Sequence, residues 1–377
     1  MACVRGAHLV GSLTYPDAES AMIAAAENLG GLLRRIPDGE PGDRFHWIMF
    51  QPDVLARAEG IERVGDEPIM IGHLDGRPLR IADGVDAADI RLPELGYARA
   101  AAESYEVFTR LRAEGVIAPG TRFQVALPTP TAVIGAFFTG EDRQAIEPVY
   151  RDLVYRELDG VLAAVPHHDL AIQWDCAVEF AVIETHAYPG GSTPWWTGDV
   201  WEGLVARAAD AIDRVPTDVE VGVHLCYGDV GERHFVEPRD AANLTRFANE
   251  LTDATTRPIT WIHLPCRSSA TTTRTSRRSR SSRSGTRSCI SGSCTAKTVS
   301  RAPRGGSRPR VATSRSSASP RSAASAAPRR MPRRTSSART SRSRLAAEPV
   351  RGILLGVVRW TTVTCPSGRR CNSRKVV

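Results

Sequence analysis

"ITWIHLPCRSSATTTRTSRRSR", residues Ile259 to Arg280, changes character in its middle. Up to Pro265 it is an apolar, β-branched run of the kind that fills a buried strand. From Cys266 onward it is arginine, serine and threonine without helical or strand period, a composition that cannot bury enough apolar surface to fold. The fold is therefore to be sought in residues 1–265, and residues 266–377 read as a disordered basic tail. Charge divides at the same place. The net +7 of the whole chain conceals a tail with 27 Lys and Arg and one acid, Glu348, so that it carries +26 while the body carries −19.

Working back from Ile259, the body alternates short apolar runs with longer segments of helical period, the pattern of parallel strands joined by helices. Strands are expected at "AHLVGS", "LLRRIP", "FQVALP", "LAIQWD", "VEVGVHLC" and "ITWIHLP". Helices are expected over Asp17–Leu33, Glu94–Glu114, Glu141–Val165, Val200–Val215 and Pro238–Leu251. The Gly-, Asp- and Pro-rich stretch from Glu59 to Arg91 reads as an excursion from the core. This predicts an α/β protein of the (β/α)8 TIM-barrel type, left incomplete at about six strands. Three cysteines in the body, Cys3, Cys176 and Cys226, show no disulfide-scaffold spacing, and no run approaches the roughly 20 apolar residues of a membrane span. A cytoplasmic protein without a membrane partner is expected.

The body contains no lysine and is rich in Ala, Arg, Gly and Pro, as a GC-rich gene encodes. Back-translated with G/C-ending codons and read one nucleotide earlier, Cys266–Ser279 becomes VPLERDDDAYFAPL. Cys289–Thr298 becomes (L)HLGLVHGKDG, and Arg315–Ala327 becomes EEFGVATECGFGR. One register restores acids, aromatics and two strand-like runs. The tail thus reads as out-of-frame translation beginning at about Pro265.

Chemistry concentrates at predicted strand ends. His224 and Cys226 in "VGVHLCYGD" are two apart on a strand, so both face one side, which in a barrel is the interior. An imidazole and a thiolate there make half a zinc site, and His263, at the end of the next strand, offers a third ligand. Glu40 sits in a Gly-Pro turn, and Asp175 follows an apolar run where an acid is buried and needs a partner. Trp195, Trp196 and Trp201 in "STPWWTGDVW" offer a flat aromatic surface for a pterin or a packed lid. No Rossmann fingerprint and no nucleophile elbow occur.

"HLCYGD", "LVGSLTYPD", "PDGEPGDRFHW", "IQWDCAVEF" and, more loosely, "ALPTPTAVIGAF" together resemble the catalytic barrel of cobalamin-independent methionine synthase, matching in order its His-x-Cys-Tyr, I-G-S-F-P, H-G-E-P, I-Q-I-D-E-P-A and G-P-V-T segments. The resemblance implies zinc-dependent methyl or alkyl transfer to the thiol of a small amino acid. It implies that Gly11 and Ser12 line the substrate's carboxylate, that Glu40 and Asp175 hold its amino group, and that His224 and Cys226 bind zinc. His263 stands where the family has a glutamate ligand, and the family's last cysteine ligand has a counterpart only in the shifted "TECGFGR". The methyl donor would be a folate or another carrier. Two other readings stand beside this one. One is a metal-free barrel enzyme similar to uroporphyrinogen decarboxylase; the other is an inactive frameshifted product whose tail binds polyanions without sequence preference.

Sequencing the codons for His263 to Ser269 from fresh genomic DNA is expected to reveal one extra or missing base. An unaltered frame there would make the tail a genuine part of the protein.

Overall fold

The computed structural model describes residues 6–188, 190–228 and 234–265, so the expected tail lies outside the described residues. Chain order is α1 (Ala18–Leu29), β1 (Arg35–Pro37), α2 (Gln51–Leu55), β2 (Ile61–Arg63), β3 (Met70–Ile71), β4 (Leu74–Asp75) and β5 (Leu79–Ile81). There follow α3 (Tyr97–Ala113), β6 (Arg122–Pro128), α4 (Pro130–Phe137), α5 (Arg143–Ala164), β7 (Leu170–Cys176) and α6 (Val178–Thr185). The last elements are α7 (Val200–Asp213), β8 (Glu220–Leu225), α8 (Ala242–Ala254) and β9 (Trp261–His263).

The central sheet has five strands in the order β1-β6-β7-β8-β9, and every pairing is parallel. Strand β7 is buried along its whole length, as expected of a parallel strand covered on both faces. The sheet is curved into a half-barrel. Arg35 on β1 reaches Glu220 on β8 with an N–O distance of 2.6 Å, although β6 and β7 lie between them in the sheet. Three strand spacings laid flat would hold those backbones about 14 Å apart. The Arg35 guanidinium also lies 3.9 Å from the ring centre of Trp261 on β9, the far edge of the described sheet.

The register arranges the side chains of the concave face in layers. Pro37, Gln124, Ala171 and Glu220 are aligned across the sheet, then Ala126, Gln173, Gly222 and Trp261, then Pro128, Asp175, His224 and His263. This last layer lies at the C-terminal ends of the strands, where α/β sheets place their sites.

The first expected strand is not one. "AHLVGS" contributes a single parallel bridge, Ala7 with Leu33, and then leaves the ladder. The carbonyls of Leu9 and Val10 are met instead by side-chain amides, Gln124 Nε2 at 2.9 Å from each and Gln173 Nε2 at 2.8 Å from Val10. Residues 8–10 thus form an arm across the concave face. The Glu59–Arg91 excursion holds two small antiparallel pairs, β2 with β5 and β3 with β4, outside the main sheet. Helices α4 and α6, absent from the sequence reading, follow β6 and β7 directly. The Thr129 hydroxyl caps α4 by accepting from Ala132 N at 3.2 Å, and Pro130 follows it in the first turn, where a missing N–H costs nothing. Helix α3 begins where the buried Glu157 of α5 accepts from the amides of Leu95, Gly96 and Ala98 at 2.6, 2.9 and 2.8 Å. Among the described residues no helix is long and apolar enough to cross a membrane.

Gly222 is what lets Trp261 enter the concave face, since a Cβ on that glycine would fall inside the indole. Gly222→Val is expected to lower the stability of the full chain by about 1–3 kcal/mol through overpacking, read as a shifted urea midpoint. An unshifted midpoint would mean that the indole does not occupy that space.

Candidate functional site

Two groups of polar side chains meet at the C-terminal layer: carboxyls from the β1 and β7 sides, imidazoles from the β8 and β9 sides. Glu40 lies three residues beyond β1 at φ 52°, an unusual conformation for a residue with a side chain. Its backbone N–H donates to Asp38 Oδ1 at 2.9 Å, which holds the turn. Its carboxylate accepts from the Ser12 hydroxyl, and a Cβ at Gly11 would come within 2.8 Å of Glu40 Oε1. Gly11, Ser12 and Glu40 are thus one unit, brought together by the arm. Ser12 is bonded to Glu40 here, rather than being left free for a carboxylate.

Asp175 is 6% exposed and accepts from Gln173 Nε2 at 2.9 Å. Burial and then the charge of Glu40 push its proton affinity well above the usual carboxylate range. Burial likewise pushes Glu40 up to about 7 against the opposing pull of its Ser12 hydrogen bond. The charge of Glu40 reaches Asp175, so the two acids lie close enough to interact. Asp38 is committed elsewhere, to Arg44 at 2.6 Å and to the Ser104 hydroxyl at 2.9 Å. Among the described residues neither Glu40 nor Asp175 has an ion-pair partner.

A third acid, Glu179, was not singled out in the sequence. It sits in the first turn of α6, fully buried, and its Oε1 accepts from the Thr129 hydroxyl at 2.5 Å while Oε2 has no hydrogen-bond partner. Burial raises it to about 7, and its charge adds to the pressure on Asp175.

His224 and His263 are brought together as expected, with their Nδ1 atoms 2.6 Å apart and ring centres 4.7 Å apart. One imidazole donates and the other accepts, so they carry their protons on different nitrogens. His8, from the arm, lies 5.7 Å from His263 ring to ring and bonds Gln173 Oε1 through Nε2 at 3.0 Å. Burial keeps all three neutral: His8 falls to about 3, His263 to about 4 and His224 well below its ordinary value.

Cys226 departs from the expectation. Strand β8 ends at Leu225, so strand alternation does not direct the Cys226 side chain, whose backbone N–H donates to Cys176 O at 3.0 Å. Among the described residues no group of three or more His, Cys, Asp or Glu is placed to hold a metal ion. His224, Cys226 and His263 therefore do not fit zinc as a set. The tryptophans are packed against helix side chains: Trp195 Nε1 donates to Glu147 at 2.8 Å, Arg207 covers Trp196 at 4.2 Å and Arg246 covers Trp201 at 3.8 Å.

The raised acids have a consequence for stability. A carboxyl whose proton is held more tightly in the fold than in the unfolded chain stabilises fully at low pH and loses that contribution as pH rises through its folded value. For Glu40 the window runs from its ordinary 4.5 to about 7. The lowered histidines act oppositely, losing stability as pH falls below 6.5 toward about 4 and 3. Glu40→Gln removes only the first effect. The difference in unfolding free energy between variant and wild type is expected to move in the variant's favour by about 1–2 kcal/mol from about pH 5 to pH 8. A pH-independent difference would mean that Glu40 ionises freely. Neither a scan against protein-family models nor a search of curated proteins finds a match for this chain.

Proposed function

We propose that the mouth of the half-barrel binds a small thiol-containing amino acid by its ammonium, between Glu40 and Asp175, and that the chemistry served is methyl or alkyl transfer to the thiol. The observation that carries this is a pair of carboxyls, buried Asp175 and half-buried Glu40, drawn from two strand ends, each without an ion-pair partner among the described residues. Two like charges in a buried site repel, and one stays protonated. An ammonium between them turns that repulsion into two charge-assisted hydrogen bonds, which a neutral or anionic ligand cannot do. Gly11 leaves room for the ligand's backbone end, and the Ser12 hydroxyl is free to turn from Glu40 to a carboxylate once the ammonium has taken over that acid.

The resemblance supplies the reaction class, with a folate or another carrier as methyl donor. It also implies zinc, but the described residues offer two imidazoles and no third ligand placed to join them. No step is drawn through a metal. What these residues do is bind and orient: the acids fix the amino end, and the neutral imidazoles of His224 and His263 line the opposite side of the same layer.

Binding of an ammonium displaces a proton from the acid pair, so affinity and proton release are linked. Calorimetry with L-homocysteine in buffers of different ionisation enthalpy is expected to show proton release below about pH 7. Affinity should rise with pH by up to about tenfold per unit until Glu40 is ionised. The deamino analogue 4-mercaptobutyrate is expected to bind at least about tenfold more weakly. Equal binding of the two ligands would remove the ammonium from the reading.

A further inference from the structure

Gln173 lies in the middle of β7 and is completely buried. Its Oε1 is approached by His8 Nε2 at 3.0 Å and by Trp261 Nε1 at 3.4 Å. Its Nε2 donates to Val10 O at 2.8 Å and to Asp175 Oδ1 at 2.9 Å. A primary amide has two hydrogens and two lone pairs, and all four are used here. The orientation of the amide is also forced. Val10 O can only accept and the Trp261 indole can only donate, so Nε2 must face the carbonyl and Oε1 the indole. His8 must then carry its proton on Nε2.

One side chain therefore bonds three parts at once: the N-terminal arm that brings Gly11 and Ser12, the β9 edge that carries Trp261, and the acid at the end of β7. We propose that Gln173 is the positioning residue of the site, orienting Asp175 and tying that acid to the arm that carries Gly11 and Ser12. This rests on the reading of the mouth as an amino-acid site for its functional meaning, though its geometry stands apart from any ligand. Gln173 is not itself proposed to contact the ammonium; it bonds Asp175, which is. It acts by fixing that acid, and by supplying a neutral donor that, with Trp47, opposes the burial of Asp175.

The test uses the full chain and begins with the wild type. Nitrogen NMR of His8 is expected to show a single neutral tautomer protonated at Nε2; a proton on Nδ1, or a mixture, overturns the proposal without any variant. Carboxyl-carbon NMR of labelled aspartate, with Asp175 assigned through Asp175→Asn, then follows two substitutions. Gln173→Met keeps the volume and removes all four bonds. It is expected to move the Asp175 titration upward by about one pH unit or more and to release the His8 tautomer. Gln173→Glu keeps the acceptors for His8 and Trp261 and removes both donors. It is expected to retain the proton on His8 Nε2 while moving Asp175 up further, since a second carboxyl now faces it. If both variants unfold cooperatively and leave Asp175 titrating as in the wild type, Gln173 is merely packing and the proposal falls. Homocysteine affinity at about pH 7 should fall about tenfold in Gln173→Met. If the wild type binds no homocysteine, the amino-acid reading fails while the two NMR signatures still decide the role of Gln173.

Discussion

A chain segment that lies across the concave face of a parallel half-barrel has backbone groups to satisfy and no strand beside it to satisfy them. In this protein that demand falls on residues 8–10, which leave the ladder after the bridge from Ala7 to Leu33. Two glutamine amides meet it, and each stands where strand alternation puts a side chain on the concave face. A buried carbonyl left without a donor costs roughly 1–3 kcal/mol. Gln124 and Gln173 are therefore as much a part of the fold as any ladder bond. Because Gln173 also reaches Asp175, His8 and Trp261, the means of holding the arm and the means of holding the site are the same side chain.

The same face is stratified by charge. Toward the N-terminal ends of the strands, Glu220 is paired with Arg35 at 2.6 Å and approached by Arg122 at 3.4 Å, with the Trp261 ring beneath the Arg35 guanidinium. In that layer one carboxylate is shared by two guanidiniums. Two layers up, the imidazoles are neutral by burial and the acids are held back from ionising. Asp38 belongs to neither class, because Arg44 and Ser104 satisfy it. What remains unpaired among the described acids of the mouth is the trio Glu40, Asp175 and Glu179. Among the described residues they form no group placed to hold a metal ion, which needs ligands converging on one point.

Much of this was legible in the sequence, for identifiable reasons. Strands β6 to β9 are apolar, β-branched runs bounded by turns, and their inward residues could be read from alternation; that is how His224 and Cys226 were assigned to the inward face. "AHLVGS" has the same apolar character and is not a strand, because composition reports burial and not whether a partner strand exists. Helices α4 and α6 are short and almost wholly apolar, so they carry no amphipathic period and merge with the buried strands before them. The pairing of Glu40 with Asp175, far apart in sequence, came from the resemblance and not from spacing. Gln124 and Gln173 had a signal that was passed over: a polar residue at an inward position of an otherwise apolar strand must have a buried partner. Glu179 had a weaker one, an acid within an apolar helix next to a strand end.

A site built in layers across consecutive strands can be divided between them. Here the division falls between recognition and transfer. The residues proposed to fix an amino acid come from the arm, the β1 turn and β7, where Ser12 bonds Glu40 and Gln173 bonds Asp175. The residues that would act on a thiol come from β8 and β9, and they stop at two imidazoles. The α/β pattern of the sequence ends two residues after His263, which lies in the last layer of the described residues. If the reading frame was lost at that point, the loss fell on the half of the site that later strands complete. The half that earlier strands complete has its own support in Gln173, whose bonds to Val10, Asp175, His8 and Trp261 all lie within the described residues.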